Sequence, residues 1–324
     1  MPEYDLIGDV HGSADKLDGL LDQLGWTKGP DGVRHPGQAD RRVIFVGDLI
    51  DRGAGQRSVL TTVRAMVDAG TAQVVMGNHE FNAVCFATTD PATGRPLREH
   101  SDKNRAQHRE FLEQLDQAER DEWIAWFRTL PLWLDLGDLR VVHACWHSDS
   151  IRVLSGLAGS EPNRLPADPE TWARASTKGD SIWRAVEILL KGPEINLAQY
   201  GLPKFVDAGG HARGDARAAW WRSGATTVAD LADLSANVKL EDGTPYPALP
   251  DLPCEPRDQT FAYSDDVPVV YGHHWREWEP TPHLDWTART ACVDFSAVKG
   301  GPLVAYSWRG ESTIDPSHYV RFPR

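Results

Sequence analysis

The sequence predicts an α/β fold. Five short apolar runs have strand length, helical patterns lie between them, and every run stops at Gly, Asp, Asn or His. Strands covered by helices on both faces have no polar side, so they read as continuous apolar runs. In chain order they fall near Tyr4–Ile7 in "YDLIGDVHG", Val43–Val46 in "RRVIFVGDLIDRG", within "AQVVMGNHE", at Leu139–Cys145 in "LRVVHAC" and at Val267–Trp275 in "VPVVYGHHW". Helical patterns over Ala14–Leu24 and Ser58–Asp68 separate the first three.

The stretch 104–127 sets Phe111, Leu112, Leu115, Trp123, Ile124 and Phe127 at helical spacing and predicts a helix that stops before Pro131. Residues 148–266 differ in character. Gly, Pro and charge interrupt helical stretches such as Ser181–Lys191, and "DGTPYPALPDLPCEP" reads as loop. The expectation is one domain over 1–324, with 148–266 inserted as a cap or lid. At the end, "ARTACVDFSAV", "KGG" and "PLVAYSW" predict a β-hairpin closing a sheet.

The chain has 324 residues, enough for a substantial core. It contains no apolar run of the roughly 18 residues that a membrane helix requires, so no membrane partner is expected. "MPEYDLIGDVHG" lacks the basic start of a secretory leader. Lys and Arg number 34 against 47 Asp and Glu, for a net charge of −13. That balance argues against long nucleic acid, whose affinity comes from basic side chains displacing counterions. It also opposes any phosphorylated substrate unless a bound cation reverses the local field. Four scattered cysteines with no CxxC pair point to reduced thiols and a cytoplasmic location.

The strand ends carry the chemistry. Asp9 and His11, Asp48, Asn78, His143 and His273 each follow an apolar run, and open α/β sheets bind ligands beyond the carboxyl ends of their strands. Singly, each has an ordinary reading: an Asp after a strand caps the next helix, and a lone His is usually a hydrogen-bonded structural residue. Five strand ends with metal-binding side chains are not accounted for by capping. Carboxylate, imidazole and carboxamide donors without thiolate suit manganese first, with iron and zinc as alternatives. Two such ions about 3.5–4 Å apart can clamp a phosphoryl group and activate water near neutral pH.

"GDVHG", "GDLIDRG", "GNHE", the strand-borne "HA" and "GHH" resemble, in order, the five motifs of the calcineurin-like metallophosphoesterases. The "GDxxDRG" form and "WFRTLPLWL" look like the phosphoprotein-phosphatase branch. That branch includes protein phosphatases and symmetrical diadenosine tetraphosphate hydrolases. The resemblance covers roughly 1–147 and 267–310. It implies a β-sandwich of two mixed sheets flanked by helices, holding two divalent metal ions. Asp9 and His11 would ligate the first ion, Asp48 would bridge, and Asn78, His143 and His273 would ligate the second. His79 would be the general acid, oriented by Asp51, with Arg52 holding a phosphoryl oxygen. Direct attack by a metal-bridging hydroxide would follow, without a phosphoenzyme. Glu80 is expected to support the following helix.

Two departures bear on the substrate. Met76 stands where protein phosphatases of this branch often carry Arg, and "FNAV" follows Glu80 where many have a further Arg; separately, Trp275 stands where the wider superfamily often has a further His on the first metal. The phosphate clamp is therefore thin, unless Arg213, Arg217 or Arg222 completes it. The first expectation is a phosphomonoesterase resembling protein phosphatases, acting on a phosphorylated small molecule, nucleotide or phosphoprotein. The alternative is a dinucleoside polyphosphate hydrolase, with Trp220 and Trp221 either stacking on bases or anchoring the cap. A non-catalytic scaffold is the remote reading, since the motif set is intact. His100, His108 and His147 are expected to be solvated or packed, and His274 is not expected to be a ligand.

Overall fold

The apolar runs pair into two mixed sheets. In the computed structural model, which describes residues 3–323 except 39, 158, 160, 208, 209 and 235–237, the first sheet has five strands. Their order is Tyr319–Phe322, Leu303–Trp308, Glu3–Ile7, Arg41–Phe45 and Ala72–Val74. The last three run parallel, with Ile7 opposite Phe45 and Phe45 opposite Val74. Their carboxyl ends are therefore flush, and the loops that follow start at one level. The second sheet orders Thr290–Cys292, Val269–Tyr271, Arg140–Val142 and Trp133–Asp135, with the first three parallel.

Side chains of both sheets share one buried apolar cluster. Leu6, Ile44 and Val75 come from the first sheet and its edge, and Val141, Val270 and Ala291 from the second. Fully burying an aliphatic side chain of this size stabilises by about 1.5–3 kcal/mol, so this cluster holds the sandwich together.

Two expectations are corrected. The single helix expected within 104–127 is three: Asp102–Gln107, Arg109–Gln114 and Gln117–Phe127. It breaks at His108, whose side chain turns inward to Asp51. It breaks again at Asp116, which accepts from the Glu119 N–H while Glu119 accepts from its own, a reciprocal cap. The terminal hairpin is absent as well. Thr290–Cys292 joins the four-stranded sheet and Leu303–Trp308 the five-stranded one, because each finds its pairing partner in Val269–Tyr271 and Glu3–Ile7 respectively.

The chain divides into two compact units, Met1–Lys191 with Asp266–Arg324, and Gly192–Asp265. Within the 148–266 stretch, helices Ser148–Ser155, Pro169–Ser176 and Ser181–Lys191 belong to the first unit. The second unit has a three-stranded antiparallel sheet of Ala232–Asp233, Asp215–Ala218 and Glu194–Asn196. Ile195, Leu197, Ala216 and Leu231 are buried in a separate apolar cluster. Trp220 and Trp221 are fully buried, which leaves no ring face for a base to stack on. Among the described residues, no helix is long and apolar enough to cross a membrane.

Candidate active site

The strand-end loops are strained. His11, Asp48, Asp51, Arg52, His273 and Trp275 all have positive φ, between 44° and 70°, a region that residues with a Cβ seldom occupy. Strain of this kind persists only where surrounding contacts enforce it, and at the Asp48 loop Glu80 does so. One of its carboxylate oxygens accepts from the N–H groups of Asp48 (2.9 Å) and Gly77 (3.0 Å), the other from those of Leu49 (2.8 Å) and Ile50 (3.3 Å). Close approach also demands glycine. A Cβ on Gly77 would lie 2.3 Å from Asp48 Oδ1, and one on Gly272 would lie 2.2 Å from Asp9 Oδ1.

The imidazoles are oriented by backbone carbonyls. His11 Nδ1–H donates to Ile50 O at 2.8 Å and His143 Nδ1–H to Val46 O at 2.7 Å. In that tautomer each Nε2 presents a lone pair. His11 Nε2 is buried with no hydrogen-bond partner and lies 3.5 Å from Asp48 Oδ2. His143 Nε2 lies 3.5 Å from Asp48 Oδ1 and 3.1 Å from Asn78 Oδ1. Acceptor atoms crowding together in this way fit a cation between them. Two groups of donor atoms, each within 4.8 Å of one another, stand out among the described residues: His11, Asp48 and His79, and Asp48, His143 and His273. They share Asp48. Asp9 joins neither group; its two oxygens each lie 3.2 Å from the His273 N–H.

Charge points the same way. Asp9, Asp48, Glu80 and Asp294 are all buried. Burial, then the charges of Asp294 and Asp48, lift the Asp9 carboxyl well above its ordinary range. Burial and Asp48 push Glu80 up to about 7. His11 is held down to about 3 by burial and by His79, so its ring is neutral and can donate a lone pair. Burial would lift Asp48 as well, but His143, His79 and His11 outweigh it and keep it ionised. A buried cluster rich in carboxylates beside the neutral ring of His11 calls for cationic charge.

Beside the cluster, Asp51 joins two histidines. His79 Nδ1 lies 2.5 Å from Asp51 Oδ2, and His108 Nδ1 lies 2.7 Å from Asp51 Oδ1. Burial opposes the charge on Asp51, but these two bonds prevail and hold the carboxyl well below its usual range. Burial likewise opposes a charge on His79, and Asp48 and Asp51 overcome it, so its pKa is raised. Arg52 is exposed at the rim, its guanidinium 4.5 Å over the Trp275 ring. That ring in turn stacks on His11, with centroids 5.5 Å apart.

Sequence reasoning missed two residues here. His108, expected to be solvated or packed, is buried against Asp51, and no local pattern marks it. Asp294 accepts from the Trp275 N–H at 2.7 Å and so supports that strained position; it follows the apolar "ACV", the same signal that singled out Asp48. The other histidines have structural roles. His100 bonds Phe86 O, His147 caps Ser148–Ser155, and His274 lies 3.3 Å from Ala144 O. Arg213 pairs with Asp207, and Arg222 bonds Asp230 O.

The calcineurin-like phosphoesterase family model matches residues 4–227, and the chain belongs to that family. That family uses divalent metals, and the His and Asp groups described above could hold one. Relatives agree. A symmetrical bis(5'-nucleosyl)-tetraphosphatase of Aromatoleum aromaticum is 32% identical over 46% of this chain and 48% of its own length. An asymmetrical bis(5'-nucleosyl)-tetraphosphatase, PrpE, of Halalkalibacterium halodurans is 44% identical over 24% of this chain and 30% of its own. A symmetrical enzyme of Chromohalobacter salexigens is 25% identical over 97% of this chain and 98% of its own length. The chain thus spans about half of the first relative and less of the second.

Proposed function

We propose that the chain is a dinuclear metal-dependent phosphoesterase that cleaves the phosphate bridge of dinucleoside polyphosphates. The observation that carries the metal site is Asp48, shared by two groups of donor atoms; His79, which stands in the first group, is assigned here to proton donation, and Asp9, which stands in neither, to the first ion. For the substrate, the relatives' tetraphosphatase names favour this reading over the phosphomonoesterase expected first. Asp9, His11 and Asp48 would hold one ion, and Asp48, Asn78, His143 and His273 the other. Manganese is the ion expected. When bound, the ions would supply positive charge to the phosphoryl oxygens and an activated water.

The chain's own residues would do the rest. His79 Nε2–H faces the reacting region while Nδ1–H is held by Asp51, so the ring can give its Nε2 proton to the leaving oxygen as the P–O bond breaks. His108 holds the second oxygen of Asp51 and stops it from turning. Arg52 would hold a phosphoryl oxygen at the rim by charge-assisted hydrogen bonds. Buried, unpaired cysteines fit a cytoplasmic location.

The test is turnover by metal-stripped protein resupplied with Mn, read as nucleotide formed from diadenosine tetraphosphate and as phosphate released from p-nitrophenyl phosphate and a phosphoserine peptide. Metal-dependent turnover is expected, highest on the tetraphosphate and lost in His79→Ala. Preference for the phosphopeptide would return the assignment to a protein phosphatase.

A further inference from the structure

Arg52, Lys103, Ala106, Gln107, Arg109 and Glu110 line a cavity of about 360 Å³ beside the active site. That volume lies at the small end of ligand sites; it suits a short phosphate chain better than a whole dinucleotide. One wall is the loop carrying Asp51 and Arg52. The other is the junction between helices Asp102–Gln107 and Arg109–Gln114. At that junction His108 turns inward and bonds Asp51 at 2.7 Å, while the other oxygen of Asp51 holds His79. The bond that breaks the expected long helix therefore fixes the pocket wall with respect to His79.

The lining is cationic on an acidic protein. Arg52, Lys103 and Arg109 are exposed and contribute three positive charges. Glu110 contributes one negative charge, and it is engaged by Arg109 at 3.1 Å and by Gln114 Nε2 at 2.8 Å. The chain as a whole carries −13, so a locally positive recess focuses the field where an anionic substrate must approach. Arg52 belongs to both the recess and the rim of the reacting centre.

We infer that this recess binds the phosphates beyond the one attacked, so that polyphosphate chains are preferred to single phosphate esters. The inference rests on the phosphoesterase reading of the strand-end site and adds its source of selectivity. Lys103 and Arg109 hold the distal phosphate oxygens through charge-assisted hydrogen bonds, and the nucleosides lie outside the recess.

Lys103→Gln/Arg109→Gln and Lys103→Glu test it. Tripolyphosphate is used as a competitive inhibitor of p-nitrophenyl phosphate turnover, with free Mn and ionic strength held constant because exposed charges are screened by salt. The expected result is at least a tenfold rise in the tripolyphosphate Ki in the double variant, and a larger rise in Lys103→Glu. The ratio of kcat/KM for diadenosine tetraphosphate to that for p-nitrophenyl phosphate should fall at least tenfold. A Ki within twofold of wild type, or no inhibition of wild type by tripolyphosphate, overturns the inference. A wild type that turns over the aryl ester but not the tetraphosphate overturns the substrate reading instead, and the Ki still decides the recess.

Discussion

The two sheets meet at the site in different ways. Loops of the five-stranded sheet carry Asp9, His11, Asp48 and Asn78 and brace one another: Glu80 gathers four of their N–H groups, and His11 bonds Ile50 O. The four-stranded sheet brings His143 and His273, and both lean across to the first. His143 bonds Val46 O, and the His273 N–H meets Asp9. One sheet end is a self-supporting frame and the other is fitted to it. Damage to the frame should reach both donor groups, whereas damage to the fitted side should stay local.

Asp48→Asn should have the largest effect, because Asp48 belongs to both groups. Losing the several kcal/mol of stabilisation that two ions would provide should lower kcat/KM by about 10³-fold or more, and elemental analysis should find both proposed ions depleted. His273→Ala touches one group and should keep close to one ion per chain. Equal depletion in the two variants would break the comparison.

His79→Ala should lower kcat by about 10²–10⁴-fold while metal content stays at the wild-type level. The loss should be greater on a phosphoserine peptide, whose alkoxide must be protonated as it leaves, than on p-nitrophenyl phosphate. The same loss on both would remove the proton-donor role.

Gly272→Ala places a methyl against Asp9 Oδ1, where a Cβ would sit at 2.2 Å. The carboxylate must move, and metal affinity should fall about 10–100-fold, measured by titration calorimetry. Unchanged affinity would show that Asp9 does not support the ions from this position.

The smallest effect sought is on stability. Asp51 has a depressed folded pKa, so its contribution is complete above the unfolded carboxyl value of about 3.9. It is lost as pH falls from there toward the folded value. Asp51→Asn should cost about 3 kcal/mol at pH 7 and less at pH 3, read by urea unfolding of metal-free protein. An equal loss at both pH values would contradict the ionised Asp51.

Much of the frame was legible in the sequence, because an apolar run ending in a polar residue is a local signal. The expected strand at Tyr4–Ile7 is Glu3–Ile7, the one at Val43–Val46 is Arg41–Phe45, and Ser181–Lys191 is a helix at those bounds. Glu80 was legible as a helix support, though not as the clamp on the Asp48 loop. What stayed hidden depends on partners distant in the chain. His108 gains its meaning from Asp51, 57 positions earlier, and so the break in the helix was invisible too. The expected hairpin failed for the same reason: local turn chemistry cannot say that Thr290–Cys292 and Leu303–Trp308 pair in different sheets. Asp294 was readable by the rule that found Asp48, and its neighbours in "DFSAV" were read as part of a hairpin strand instead.

The central claim is a two-ion site built around Asp48, and it is tested most directly by following activity against manganese equivalents. Metal-stripped protein is titrated with Mn while diadenosine tetraphosphate hydrolysis is recorded. The account predicts no turnover without metal and a plateau at two equivalents per chain. Full activity at one equivalent or fewer would contradict it.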